Sequence, residues 1–461
     1  MLTGPLLIGV FILSIAILLV SILKFKLNAF ISLLITSLVA SVLVGMPMEE
    51  IASTISGGFG STLSGIGIVT GLGVMLGKFM FESGAIETIS NAILKKFGDK
   101  NSPSAIAMTG FLTGIPVFSD VVYIMLAPVL RLLSKRTGIS LVTFACALSV
   151  ATTCTYALVI PTPAPLAVSE ALGIDVGIFF FYALITAFVA TVGGGIIYGK
   201  FIDKQDKKNN HFYTFEDIED EESLNDVANG EVAVTVEAPS FMKAISMLLV
   251  PIVLILAGSF ATLTLGDNHP IIPFFKFFGD KNVAMLIGVI YTAIISMPYI
   301  KTEVSQIMNE AADQVGLVLL ITGAGGAFGK VLQATGIADY IAQSLSGYSI
   351  PILVLCFLIS QVIRCAQGST TVALMTTASI LTGTIASSSV SPVLCAIAIC
   401  AGGMGLSLPN DSGFWAISRF FKISVSDTIR GWTIGGFVAG LTALAFVSIL
   451  SLFQGVLPGL M

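Results

Sequence analysis

Charge is what this sequence has least of. Asp, Glu, Lys and Arg make up 11% of its 461 residues, against roughly 25% in a soluble domain, which excludes an ordinary water-soluble protein. Lys plus Arg number 22 and Asp plus Glu 27, a formal balance of −5 with no basic stretch of the kind that grips phosphates. Nucleic acid is therefore excluded as a partner. The only two His, His211 and His269, fall in predicted loops. Cys146, Cys154, Cys356, Cys365, Cys395 and Cys400 all sit in apolar segments without the Cys/His spacing of a zinc site or a disulfide frame. No metal and no cofactor is expected. The apolar segments hold no His, no paired acids at metal spacing and no Ser beside a base, so an enzyme is not expected either.

What is present is apolar: 55% of the residues, with 46 Gly besides. A helix crossing the hydrocarbon layer needs about 20 apolar residues, and the runs predict spans at 5–23, 28–45, 57–81, 140–169 (broken), 176–199, 244–265, 283–299, 306–331, 391–418 (broken) and 429–452. Two pairs of shorter helices, 103–134 and 350–388, read as re-entrant hairpins. The first run ends in Lys24 and Lys26 without a cleavage site and reads as a retained span. The expected fold is an all-α polytopic membrane protein of about ten spans plus two hairpins.

With the N-terminus outside, nearly all loop Lys and Arg fall on the inner side, and Lys276 and Lys281 fall outside. Both termini are then predicted outside. The segment 103–134 must enter and leave on one side, because Lys95, Lys96 and Lys100 precede it and Arg131, Lys135 and Arg136 follow it. Gly71, Gly73, Gly77, Lys78, Ser83 and Gly84 recur at a constant offset as Gly323, Gly325, Gly329, Lys330, Thr335 and Gly336. By the loop count the two copies have opposite topology, a pattern of secondary transporters. The predicted organisation is a first repeat at 1–200 (scaffold 5–45, transport part 57–199) and a flexible acidic cytoplasmic linker at 201–240. A second repeat follows at 241–461 (scaffold 244–299, transport part 306–452).

Gly71–Lys78 is not a phosphate loop, because its outer glycines are one residue too far apart and Phe79 replaces the hydroxyl residue. Gly73/Gly77 and Gly325/Gly329, four apart, predict close helix packing instead. Lys78 and Lys330 are expected to snorkel to the interface, and Glu82 to be solvated.

A helix broken inside lipid exposes backbone groups that cost several kcal/mol each unless protein, water or ligand satisfies them. Four breaks are predicted: Gly114 to Asp120 with Pro116, Pro161 to Pro165 with Pro163, Gln367 to Thr371 with Gly368, and Pro409 to Gly413. Each joins a helix breaker to polar groups, so Ser119, Thr162, Gln367, Ser369, Thr370, Thr371, Asn410 and Ser412 are candidate substrate ligands. The half-helix starting near Ser369 would aim free N–H groups at an anion. Arg364, just before it, is expected either to bind a substrate carboxylate or to pair with an acid such as Asp411. Asp120 and Asp411 are the candidate proton or cation carriers, since a carboxylate in low dielectric can take a proton from one side and release it to the other. Helix capping is the alternative for Asp120, and capping or an ion pair for Asp411.

The run Gln367–Ala373 preceded by Arg364, and the run Asn410–Trp415, resemble the gluconate permease family of proton symporters, within the ion transporter superfamily. The likeness continues through Gly57 to Lys78 and Gly114 to Pro128. The resemblance implies proton-coupled uptake of gluconate or a related sugar acid across a bacterial cytoplasmic membrane. It also implies inverted repeats, opposed hairpins and a homodimeric scaffold with a moving, elevator-type transport domain. Some members take a small amino acid such as D-serine, and lactate or sodium coupling are further alternatives. Where familiar members carry a His-containing proline-rich run, this chain has Thr155, Tyr156, Ala157 and then Pro161 to Pro165. A channel would use the same breaks without tight coupling.

Overall fold

The computed structural model describes residues 2–98, 101–115, 119–211, 238–265, 269–337, 340, 350–367, 369–407 and 411–460; at Asp120, Gln367 and Ser412 it describes the backbone alone. Every regular element among the described residues is helical. The first half runs α1 (Leu6–Leu23), α2 (Ala29–Val44), α3 (Met48–Glu82), α4 (Ala85–Phe97), α5 (Ser102–Thr113), α6 (Ser119–Thr137), α7 (Leu141–Leu158), α8 (Pro163–Ala171) and α9 (Val176–Ala190). A π-helical turn at Thr191–Ile197 carries α9 into α10 (Tyr198–Asn209). The second half runs α11 (Phe241–Leu265), α12 (Ile272–Gly279), α13 (Lys281–Ser296), α14 (Val304–Ala334), α15 (Ile352–Gln367), α16 (Thr370–Ala386), α17 (Pro392–Gly402) and α18 (Ser412–Phe420). It ends with α19 (Val425–Thr428), a π-helical turn at Ile429–Thr433 and α20 (Ile434–Leu452).

Among the described residues, six stretches are long and apolar enough to cross a bilayer, seven if α12 and α13, bent by 62°, count as one. That is fewer than the ten full spans expected, because the apolar stretches of α1, α2 and α17, expected as spans at 5–23, 28–45 and 391–418, are shorter than a full crossing, as are those of α15 and α16, which were expected as a hairpin. Ile12, Val20, Ile290, Ile294, Leu441 and Ile449 are exposed on outward faces, as a lipid-facing surface requires. Buried hydroxyls along these helices bond back to the carbonyl four residues earlier, as Ser14 does to Val10 and Thr36 to Ser32.

Besides the short α12 and α19, two helices went unassigned in the sequence. Helix α4 buries Ile86, Ile89 and Ile93 on one stripe and ends in Lys95 and Lys96. The other, α10, occupies the start of the stretch expected to be a flexible linker. It is anchored there by Asp206, buried to 1% exposure, which takes a hydrogen bond from the Ser140 hydroxyl (2.5 Å) and pairs with Arg430 (2.5 Å). Arg430 also pairs with Asp427 at 2.7 Å, and Asp427 meets His211 at 3.0 Å. One end of the first half is thereby tied to the last span of the second. The rest of the linker, 212–237, lies outside the described residues.

Glycine decides where helices touch. A methyl group on Gly58 of α3 would lie 2.7 Å from the Gly326 carbonyl oxygen and 2.8 Å from the Ala327 Cα of α14, so the two backbones are in contact. Gly73 is covered by Pro161, and Gly325 and Gly329 face Met375 and Ser379 of α16. Those paired glycines thus seat the broken helices, while Gly58 and Gly326 make the crossing of the two long helices. Both long helices end alike: Ser83 and Thr335 each have φ −85° and ψ −4°, followed by Gly84 at φ +70° and Gly336 at φ +72°. Only glycine takes that conformation without strain. At the same ends, Lys78 pairs with Glu82 (3.3 Å) and with Glu310 of α14 (2.8 Å), and Thr302 donates to Glu82. Glu82 is therefore held in a side-chain cluster and is not merely solvated, and Lys78 has two acidic partners in place of a simple snorkel.

Gly58→Ala should lower the thermal unfolding midpoint in detergent, by an overpacking cost of about 1–3 kcal/mol. Gly60→Ala, where a methyl meets nothing within 4 Å, should leave the midpoint unchanged or raise it. Equal behaviour of the two variants would contradict the close crossing.

Candidate functional site

The breaks gather around α7, whose residues are nearly all buried. Helix α7 stops at Val159 because Pro161 and Pro163 cannot continue its hydrogen-bond ladder. The freed carbonyls of Tyr156 and Val159 accept from the Thr162 hydroxyl at 2.9 and 2.5 Å. On the hairpin side, Gly114 ends α5 against Thr155, where a methyl would come within 2.5 Å of the Thr155 Oγ1. From α6, the Tyr123 hydroxyl meets Thr152 at 2.9 Å. Asp120 stands in the first turn of α6, where a helix dipole favours a carboxylate.

The third break meets the second directly, since the Tyr156 and Thr371 hydroxyls are 2.9 Å apart. Helix α16 is capped by Ser369, whose oxygen accepts from the Val372 N–H at 3.4 Å, and the Thr370 hydroxyl donates to the Gly403 carbonyl at 3.4 Å. The fourth break is capped by Asp411, whose Oδ1 accepts from the Gly413 N–H at 2.8 Å. Trp432, in the π-helical turn before α20, donates to Thr153 of α7 at 3.0 Å.

Arg364 sits at the centre of the second-half breaks and is 2% exposed. Its Nε donates to the Gly403 carbonyl at 3.1 Å, and its Nη2 donates to the Ser407 hydroxyl and to Asp411 Oδ2. The Ser407 carbonyl accepts in turn from the Thr433 hydroxyl (2.5 Å). The C-terminal carbonyl end of α17 adds partial negative charge on the same side of the guanidinium. Asp411 thus performs both roles weighed from the sequence, cap and ion pair, and each of its oxygens is engaged.

Of the sequence candidates, Arg364, Ser369, Thr370, Thr371 and Asp411 come together, and Tyr156 links them to Thr162. Gly114, Pro161 and Pro163 lie at chain interruptions as expected. Ser119 opens α6 and is half-buried. Pro116, Gly368, Pro409 and Asn410 fall outside the described residues, as do the side chains of Asp120, Gln367 and Ser412. Gln361, Ser407 and Tyr156 were missed. Gln361 carries a legible signal, an amide three residues before Arg364 in an otherwise apolar helix; Ser407 and Tyr156 depend on contacts that no local pattern announces.

A cleft of about 510 Å³ lies elsewhere, between α8–α9 and α11–α13, lined by Glu170, Asp175, Ser259, Lys276 and Asp280 among others. It is bridged by Glu170 and Lys281 at 2.5 Å.

A model of the GntP family permeases matches residues 6–453. The inner membrane permease YgbN of Escherichia coli (strain K12) is 31% identical over 431 residues, covering 92% of this chain and 94% of that one. The gluconate permease of Pseudomonas aeruginosa is 30% identical over 439 residues, covering 94% and 95%. The crystal structure of the Alcanivorax borkumensis YdaH transporter superposes with a TM-score of 0.68 over 92% of this chain and 98% of that one, at 15% identity, which shows a shared fold.

Asp411→Ala should destabilise the protein by about 3–5 kcal/mol, because it leaves a buried guanidinium unpaired. Asp411→Asn, which can still cap α18, should lose roughly 1 kcal/mol less. Combining Asp411→Asn with Arg364→Met removes the stranded charge and should recover most of the loss. Thermal unfolding of the three variants in detergent measures this; a double variant no more stable than Asp411→Asn alone would contradict the pairing.

Proposed function

The chain belongs to the GntP permease family, and on that premise we propose that it imports a small hydroxylated carboxylate, such as gluconate or a related sugar acid, together with a proton. Membership makes the protein a multi-pass membrane transporter rather than an enzyme. Relatives at about 30% identity over most of their length are gluconate permeases, which supports the substrate class. The observation that carries the reading is Arg364: a buried cation beside two capped half-helices, set where broken backbone meets polar side chains.

In this reading the substrate carboxylate sits near Arg364 and the N-terminus of α16. Ser119, Thr162, Gln367, Ser369, Thr370, Thr371, Asn410 and Ser412 surround its hydroxyls. Asp120 and Asp411 carry the coupling. Coupling to one monovalent cation, here assigned to a proton, fits a monoanion, since entry against about 100 mV climbs roughly 2.3 kcal/mol that one positive charge cancels. The repeated glycine pattern and the matching ends of α3 and α14 support two repeats, 1–200 and 241–461, inverted about the membrane and joined by the acidic segment 201–240. The broken helices would move as an elevator past a scaffold of α1–α2 and α11–α13 in a homodimer, with both termini outside.

In proteoliposomes with an internal pH dye, gluconate should trigger acidification, and Asp120→Asn should abolish it. Other sugar acids, lactate and D-serine complete the panel. Uptake without any pH change would replace the proton by sodium, and preference for D-serine would replace the substrate class.

A further inference from the structure

Two side chains on one face of α15 are buried with an unused polar atom. Arg364 offers five N–H groups; Nε and Nη2 are engaged, while Nη1 has no hydrogen-bond partner. Gln361, 5% exposed, donates through Nε2 to the Gly405 carbonyl at 2.8 Å and to the Cys365 sulfur at 3.5 Å, which fixes the amide orientation and leaves Oε1 without a partner. Residues three apart on a helix are neighbours, with Cβ atoms about 5–6 Å apart. A charged donor and a neutral acceptor from neighbouring positions on one helix face are therefore both unsatisfied, the acceptor lying against Gly405. Buried polar atoms ordinarily find partners, and such a pair is costly unless something arrives to meet it.

We propose that Gln361 and Arg364 form a two-point recognition ridge for a carboxylate bearing a hydroxyl at its second or third carbon. Nη1 donates to a carboxylate oxygen, and the substrate hydroxyl donates to Gln361 Oε1. The short separation of the two residues confines the recognised hydroxyl to the carboxyl end of the ligand. Hydroxyls further along the chain fall to other groups. Asp411 and Ser407 hold Nη2, so they position the guanidinium and leave Nη1 for the ligand. The inference rests on the proposed transport of a hydroxylated carboxylate and adds which hydroxyl is read, and by which residue.

The test is equilibrium binding to the purified full-length protein of gluconate, its 2-deoxy, 3-deoxy and 6-deoxy forms, and hexanoate. Loss of the 2- or the 3-hydroxyl should weaken binding about tenfold, as for one hydrogen bond made in a buried site, while loss of the 6-hydroxyl should not. Gln361→Met should erase that difference and leave hexanoate binding as in the wild type. Arg364→Lys should weaken every carboxylate alike. A 6-deoxy penalty with no 2- or 3-deoxy penalty overturns the ridge, as does a Gln361→Met protein that keeps the hydroxyl preference. Equal loss of gluconate and hexanoate binding in Gln361→Met would make that residue structural and overturn it too. The wild-type deoxy series decides alone should the variants fail to fold. If the wild type binds none of these carboxylates, the transport reading itself falls.

Discussion

An interrupted helix inside an apolar protein must find partners for the backbone groups it frees, and that requirement organises this molecule. Each break has its own device. Thr162 closes the carbonyls left by α7, Ser369 caps α16, Asp411 caps α18, and Gly114 lets α5 end against α7. Lipid offers such groups no partner, and here the protein's own side chains supply them. They concentrate hydroxyls and the Asp411 carboxylate around the breaks. The Tyr156–Thr371 contact then joins a break of the first half to one of the second.

Arg364 shows that this region is not arranged for stability alone. Burying a guanidinium is unfavourable, and its ion pair with Asp411 roughly offsets that burial without exceeding what well-packed apolar residues would give. The close crossings elsewhere, Gly58 on Gly326 and Gly258 on Gly279, rest on backbone contact between small residues. Packing thus holds the frame, and the charged cluster sits within it. The tie of Asp206, Arg430, Asp427 and His211 follows a different logic, since Arg430 pairs with two acids and one of them, Asp427, also meets His211 at the partly exposed edge of the protein.

The sequence makes the breaks legible because Pro and Gly inside long apolar runs have few other uses. The ends of α3 and α14 were equally readable, since the same Lys, hydroxyl and Gly pattern occurs twice. Arg364 with Asp411 could be weighed as a pair because both stand beside breaks. Long-range partners were not readable. Nothing local couples Lys78 to Glu310, Ser140 to Asp206 or Tyr156 to Thr371, and only the packing of distant helices brings them within bonding distance. Helix α4 has an apolar stripe that periodicity carries, hidden by its shortness beside full spans. Helix α10 escaped notice because its charged composition resembles the acidic stretch after it, whereas its buried Asp206 fixes it to α7 and Arg430.

The most direct measurement is a structure determined by electron cryomicroscopy with gluconate present at saturation. The account predicts ligand density at the breaks, with its carboxylate against Arg364 and its chain toward Tyr156 and Thr371. Density confined to the cleft beside Glu170 and Lys281, with the surroundings of Arg364 unchanged, would contradict it.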